Sequence, residues 1–178
     1  TASLSLVAQF SESGGARVMI NEINYSSSPE VDPGDWIELY NGGIYDADLT
    51  GWYLEDAEGD EPFYLPTGLI LEAGEFLVIA RDIDAFQAVF PAVEPVGELP
   101  FGLSSEADII KLYWPDSTLQ DSLYYTGSSP WPTEADGTGS TLELTNPDSD
   151  NALPGNWSAS LTLHGTPGEG NSATVSIP

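Results

Sequence analysis

Asp35-Trp36-Ile37-Glu38-Leu39-Tyr40-Asn41 and, shortly after, Asp48-Leu49-Thr50-Gly51-Trp52-Tyr53-Leu54 decide how this chain folds. Both stretches are rich in aromatic and branched side chains that suit a pleated surface, and a Gly42-Gly43 turn and an acidic loop separate them. On a strand, Ile37 and Leu39 share one face, while Trp36, Glu38 and Tyr40 share the other. The two segments therefore predict neighbouring strands of a β-domain.

The same grammar continues on both sides. Val18 to Tyr25 reads as a strand before them, and Phe63 to Pro66, Leu69 to Leu71 and Glu75 to Arg81 read as strands after them. Phe76 to Ala80 is apolar on both faces, which predicts a central, covered strand. Between Asp82 and Phe90 the period changes. Ile83, Phe86, Val89 and Phe90 recur at helical spacing, Asp82 or Asp84 can cap the first turn, and Pro91 ends it. One short helix is expected there and no other. Asp108 to Trp114 and Leu119 to Tyr125 follow as strands, joined by a Pro115–Thr118 hairpin, and Ser140 to Thr145 and Trp157 to Leu163 come last. Many short strands with turn signals between them, without a helix–strand rhythm, predict an all-β antiparallel sandwich.

A chain of 178 residues can bury about 70% of its unfolded surface and needs no disulfide, and it has no cysteine. Its charge is lopsided: 29 acidic side chains face only Arg17, Arg81 and Lys111, for a net charge of −26. Nucleic acid and anionic lipid would be repelled. Solubility in saline or extracellular water is one explanation of such a surface, and binding of calcium by clustered carboxylates is the other. No apolar run is long enough for membrane insertion. Residues 1–10 alternate, without the basic start or apolar centre of a signal peptide. The chain is expected to be a piece of a longer polypeptide. Residues 1–16 would be a linker or edge strand, 17–171 the sandwich and 172–178 a tail toward the next module.

The matching pieces run in order along most of the chain. They include Val18-Met19-Ile20-Asn21-Glu22-Ile23, Trp36-Ile37-Glu38-Leu39-Tyr40-Asn41, Leu49 to Asp56, Ala73-Gly74-Glu75, Gly137-Thr138-Gly139-Ser140-Thr141-Leu142-Glu143-Leu144 and Gly165-Thr166-Pro167-Gly168. This set resembles the lamin tail domain family, its bacterial branch in particular. The resemblance implies an immunoglobulin-like β-sandwich with one short inserted helix. It also implies a non-enzymatic interaction or spacer module of a larger bacterial protein that is secreted or displayed at the cell surface. The family has no catalytic residues to carry over. Where animal members touch DNA a basic surface is expected, and this chain lacks one.

Chemistry read from the residues themselves is sparse. His164 is the only histidine and sits beside a Gly165-Thr166-Pro167 turn, with no nucleophile elbow elsewhere. Two loops carry oxygen ligands at tight spacing and could hold calcium: Asp56, Glu58, Asp60 and Glu61 around Gly59, and Asp148, Asp150 and Asn151 after Pro147. Solvated turns explain the same spacing. Trp36, Trp52 and Trp157 are expected to pack. Trp131, bracketed by Pro130 and Pro132, is expected to be exposed, where it could stack on a sugar ring. Glu22, Glu38 and Glu143 each sit between apolar neighbours. With so few cations they are expected on an exposed outer sheet face, failing which they must be bound by metal or by backbone and hydroxyl donors. The partner is expected to be a protein or a glycan, with a calcium-assisted carbohydrate-binding module as the alternative to the interaction or spacer module, and the domain is expected to be monomeric.

Overall fold

The computed structural model describes residues 16–174. In chain order the strands are β1 (Val18–Asn24), β2 (Trp36–Asn41), β3 (Ala47–Asp48), β4 (Tyr53–Glu55), β5 (Phe63–Tyr64), β6 (Ile70–Leu71) and β7 (Phe76–Ala80). After helix α1 (Ile83–Val89) come β8 (Ala107–Tyr113), β9 (Leu119–Thr126), β10 (Leu142–Leu144) and β11 (Trp157–Ala159). A five-stranded antiparallel sheet runs β11-β10-β1-β2-β7, and a four-stranded one runs β5-β4-β8-β9. The small β3-β6 pair completes the all-β sandwich. The main core lies between the sheets: Val18, Ile20, Ile23, Ile37 and Leu39 from the first meet Leu54, Ile110, Leu112, Leu123 and Tyr125 from the second.

Helix α1 forms where the period predicts. The Asp82 side chain accepts a hydrogen bond from Ala85 N at 2.9 Å, capping the first turn. The helix lies outside the first sheet, where Trp36, Val78, Ala80 and Phe86 make a second, smaller apolar cluster. Trp36 meets Phe86 edge-on at 6.0 Å. Two expectations need correction. Residues 48–54 are not one strand: Gly51 has a φ of +75° and Trp52 N bonds Leu49 O, so the chain turns there and passes from β3 into β4, in another sheet. Strand β7 is covered on both faces but ends its sheet. Its free side is met by residues 96–99, through Val96 N to Val78 O and Leu99 N to Ala80 O, so no long bare edge remains there.

The largest departure concerns the three strand glutamates. Glu143, Glu22 and Glu38 are direct cross-strand partners on β10, β1 and β2, and all three are fully buried rather than exposed. A β-bulge between Ile20 and Glu22 lets both Ile20 and Ile23 face the core while Glu22 turns to the outer face. The 165–173 segment then lies across the row and supplies its donors. Thr166 N and Oγ1 donate to Glu22, which also hydrogen-bonds the Thr141 hydroxyl. Gly168 N, at 2.6 Å, and Asn21 Nδ2 donate to Glu38. Ser172 Oγ and Ala173 N, at 2.9 and 2.7 Å, donate to Glu143. Asn171 locks the segment, accepting from Asn21 Nδ2 and donating to Leu144 O. Gly165 admits no side chain, since a Cβ there would stand 2.2 Å from Glu22 Oε1.

Burial and the adjacent Glu143 charge, opposed by the Thr141 and Thr166 donors, push the Glu22 carboxyl up to about 8 from its ordinary 4.5. Burial and then the Glu22 charge hold Glu38 well above the usual carboxylate range. The unfolded chain releases the Glu22 proton near 4.5 and the folded chain near 8, so between these values the fold binds more protons. This group's contribution is full below about pH 4.5, is lost as pH rises to about 8, and is level beyond. Urea midpoints at fixed high salt are expected to fall from about pH 5 to about pH 8, and Glu22→Gln is expected to flatten the fall. A midpoint that rises over this range would show Glu22 to be ionised in the fold.

Candidate functional site

The two sheets differ in what covers their outer faces. Helix α1 and the 165–173 segment lie over the first. On the second, Tyr64 and Tyr124 stand exposed, while Tyr53 between Tyr64 and Tyr113 is buried. Strand alternation sends Leu54, Ile110, Leu112, Leu123 and Tyr125 into the core and leaves Tyr53, Lys111, Tyr113 and Tyr124 outside. The register places Tyr64, Tyr53 and Tyr113 side by side across β5, β4 and β8. Their ring centroids are 5.3 and 4.9 Å apart, and Tyr53 and Tyr113 stack at 18°. Below this row Glu55 stands opposite Lys111, and Ile109 opposite Tyr124. Tyr64 is 62% and Tyr124 54% exposed. Burial and then the nearby Glu55 charge push the Tyr113 hydroxyl above its ordinary value.

At the end of this sheet, where β4 leaves and β8 begins, an open cleft of about 710 Å³ lies between residues 56–61 and 100–108. Asp56, Glu58, Asp60 and Glu61, the first acidic loop singled out in the sequence, line one wall. Asp108 anchors the base, accepting from Ala57 N, Ser104 N and Ile109 N. Asp56 Oδ1 accepts from Glu58 N and Gly59 N, an Asx turn that sets the loop's bend. On the other wall Gly102 packs against Arg81, which Asp35 holds at 3.3 Å.

The second acidic loop is arranged differently. Asp148 pairs with Arg17 at 2.7 Å, and Asp150 Oδ1 accepts from Ala152 N. Asn151 is turned inward and buried, donating to both oxygens of Asp121 at 2.8 Å. Among the described residues, no three histidine, cysteine, aspartate or glutamate side chains converge as a metal-ligand set. Asp121 itself went unmarked in the sequence. It is buried on β9 and accepts from Ile20 N on β1 at 2.8 Å, so it joins the two sheets. Alternation alone would put Asp121 on the core face beside Leu123. That was the available signal. His164 occupies a turn with φ +70°, its N bonded to Gly139 O.

Trp131 is a correction. It is only 5% exposed and belongs to the main core, 6.3 Å from Trp157. The loop folds back on itself there, Trp131 N reaching Ser128 O, and a short helical turn at Thr133–Ala135 tucks Ala135 in behind. Trp36, Trp52 and Trp157 pack, as their strand positions predict.

With the sandwich and its open face in view, the sequence comparison decides the kinship: residues 11–127, more than half of the chain, match the Lamin Tail Domain. The chain belongs to the lamin tail domain family. The family is immunoglobulin-like and non-enzymatic, a class of interaction modules. Comparison with individual curated proteins returned no match. The matched span holds the whole four-stranded sheet, while β10, β11 and the segment over the glutamates lie beyond it and complete the five-stranded sheet of this lamin tail domain. Among the described residues no helix is long and apolar enough to cross a membrane.

Because Trp131 is a core residue, Trp131→Ala is expected to cost about 3–5 kcal/mol of stability. Denaturant unfolding measures it. A loss under about 1 kcal/mol would return Trp131 to the surface.

Proposed function

We propose that this lamin tail domain is a non-catalytic interaction module of a larger bacterial protein, secreted or held at the cell surface, and that it meets a protein partner through the outer face of its four-stranded sheet. One observation carries the proposal: that face presents Tyr64 and Tyr124 to solvent while the outer face of the other sheet is covered. Tyrosine offers a large, stiff contact area at low entropic cost and is enriched where interfaces gain their energy. The acidic surface supports an environment where salt screens its repulsion.

A glycan partner is less well supported. The aromatic residue proposed for it, Trp131, lies in the core. Tyr53 and Tyr113 stack on one another, which covers the facing side of each ring and leaves Tyr53 buried.

Affinity capture from the cell-surface proteins of the source organism, with wild type and Tyr64→Ala/Tyr124→Ala as baits, tests the proposal. A partner held by wild type is expected to be lost, or weakened about 10- to 100-fold, in the double variant, with its circular dichroism unchanged. Undiminished capture by the double variant would move the interface to another face.

A further inference from the structure

The cleft lies at one end of the sheet that bears the tyrosines. Asp56 follows β4, and Ala107 and Asp108 begin β8; on the outer face the Ile109–Tyr124 pair comes next to this end, then Glu55 opposite Lys111, then the Tyr64-Tyr53-Tyr113 row. We infer that the occupant of this surface is a basic polypeptide segment, its arginine or lysine side chains seated in the acidic cleft and its backbone running over the tyrosines. The inference rests on the proposed interaction face and names its partner's chemistry.

Charge complementarity carries it. Asp56, Glu58, Asp60 and Glu61 bring four carboxylates to one open cleft. The ion pairs among the described residues are Arg17 with Asp148 and Arg81 with Asp35; Arg81 stands behind Gly102 on the opposite wall of the cleft, paired to Asp35 and to none of these four. The nearest cation on the tyrosine face, Lys111, stands opposite Glu55 and forms no ion pair with a described residue. A guanidinium in such a cleft gains bidentate, charge-assisted hydrogen bonds, and the exposed face of Tyr64 can hold another by cation–π attraction. A net charge of −26 also speeds the encounter with a cation and repels an acidic competitor. Lys111 opposes the proposed partner. It gives the inference its sharpest consequence, because removing this cation should tighten binding.

The probes are fluorescent octa-arginine, octa-glutamate and an uncharged Gly-Ser octapeptide, followed by anisotropy at about 0.15 M salt, where long-range surface attraction is screened. Octa-arginine alone is expected to bind. Asp56→Asn/Asp60→Asn/Glu61→Gln and Tyr64→Ala/Tyr124→Ala are each expected to weaken it about tenfold or more, and Lys111→Gln to tighten it. Glu72→Gln/Glu75→Gln/Glu169→Gln removes the same charge from exposed positions elsewhere and is expected to change little. Equal losses in the two triple variants would show attraction to net charge only and overturn the inference. No octa-arginine binding, with a captured partner still lost in the tyrosine variant, would overturn the basic occupant and leave the interaction face standing. Binding of a neutral oligosaccharide that the tyrosine variant loses, or a dimer that the same variant dissolves in sedimentation, would assign the face to a glycan or a second copy and overturn it equally.

Discussion

Three carboxylates buried in a row, on neighbouring strands and reached by neither ion pair among the described residues, are the burden this fold is built to carry. Like charges opposite one another in a sheet repel, and burial multiplies the cost. With three cations in the whole chain, salt bridges cannot answer it. The structure answers with N–H and hydroxyl donors from the 165–173 segment, while burial raises the Glu22 and Glu38 carboxyls above their ordinary range. A donor set of this kind orders the segment that provides it. The glutamates thus tie a stretch without strands to the sheet and seal its outer face.

The same device recurs at the other buried acids, Asp121 and Asp108, and at half-buried Asp35. Asp121 takes Ile20 N and Asn151, Asp108 takes three backbone N–H groups, and Asp35 takes Leu103 N beside Arg81. Each joins segments distant in sequence, and each is fixed by directional bonds that screening by salt scarcely touches. Inner acids are therefore consumed by architecture. The acids of the 56–61 loop line open space, which makes them available to a partner.

Much of the sandwich was legible in the sequence because its signals are local. Alternation marked Ile37 and Leu39 as core, and helical spacing with Asp82 and Pro91 bounded α1 almost to the residue. The misjudged positions turn on pairing over long separations. Glu22 meets Glu143 and Thr166 across more than a hundred residues, and no local pattern announces that a later segment will bring donors to it. Glu22 does lie on the outer face, and what a strand read at period two cannot show is that residues 165–173 cover that face and bury it. Trp131 looked exposed because its neighbours are polar and proline-rich, yet the loop's fold-back brings it to Trp157. The cleft loop was visible as a cluster of acids. Its place at the end of the sheet that carries Tyr124 depended on strand register, which composition does not encode.

The placement of these features separates folding from the proposed interaction face. The glutamate row, its covering segment and α1 belong to one sheet, and the tyrosines and acidic cleft belong to the other. Tyr64 and Tyr124 lie on the side of their strands away from the core, so exchanging them leaves the contacts of Leu54, Ile110 and Leu123 intact. The cleft loop hangs from Asp108, whose bonds are to backbone, and its outer acids can vary without disturbing that anchor. A surface on which side chains change at little cost to stability is where specificity for a partner can be altered freely. The open sheet of this lamin tail domain meets that condition, and the sealed one does not.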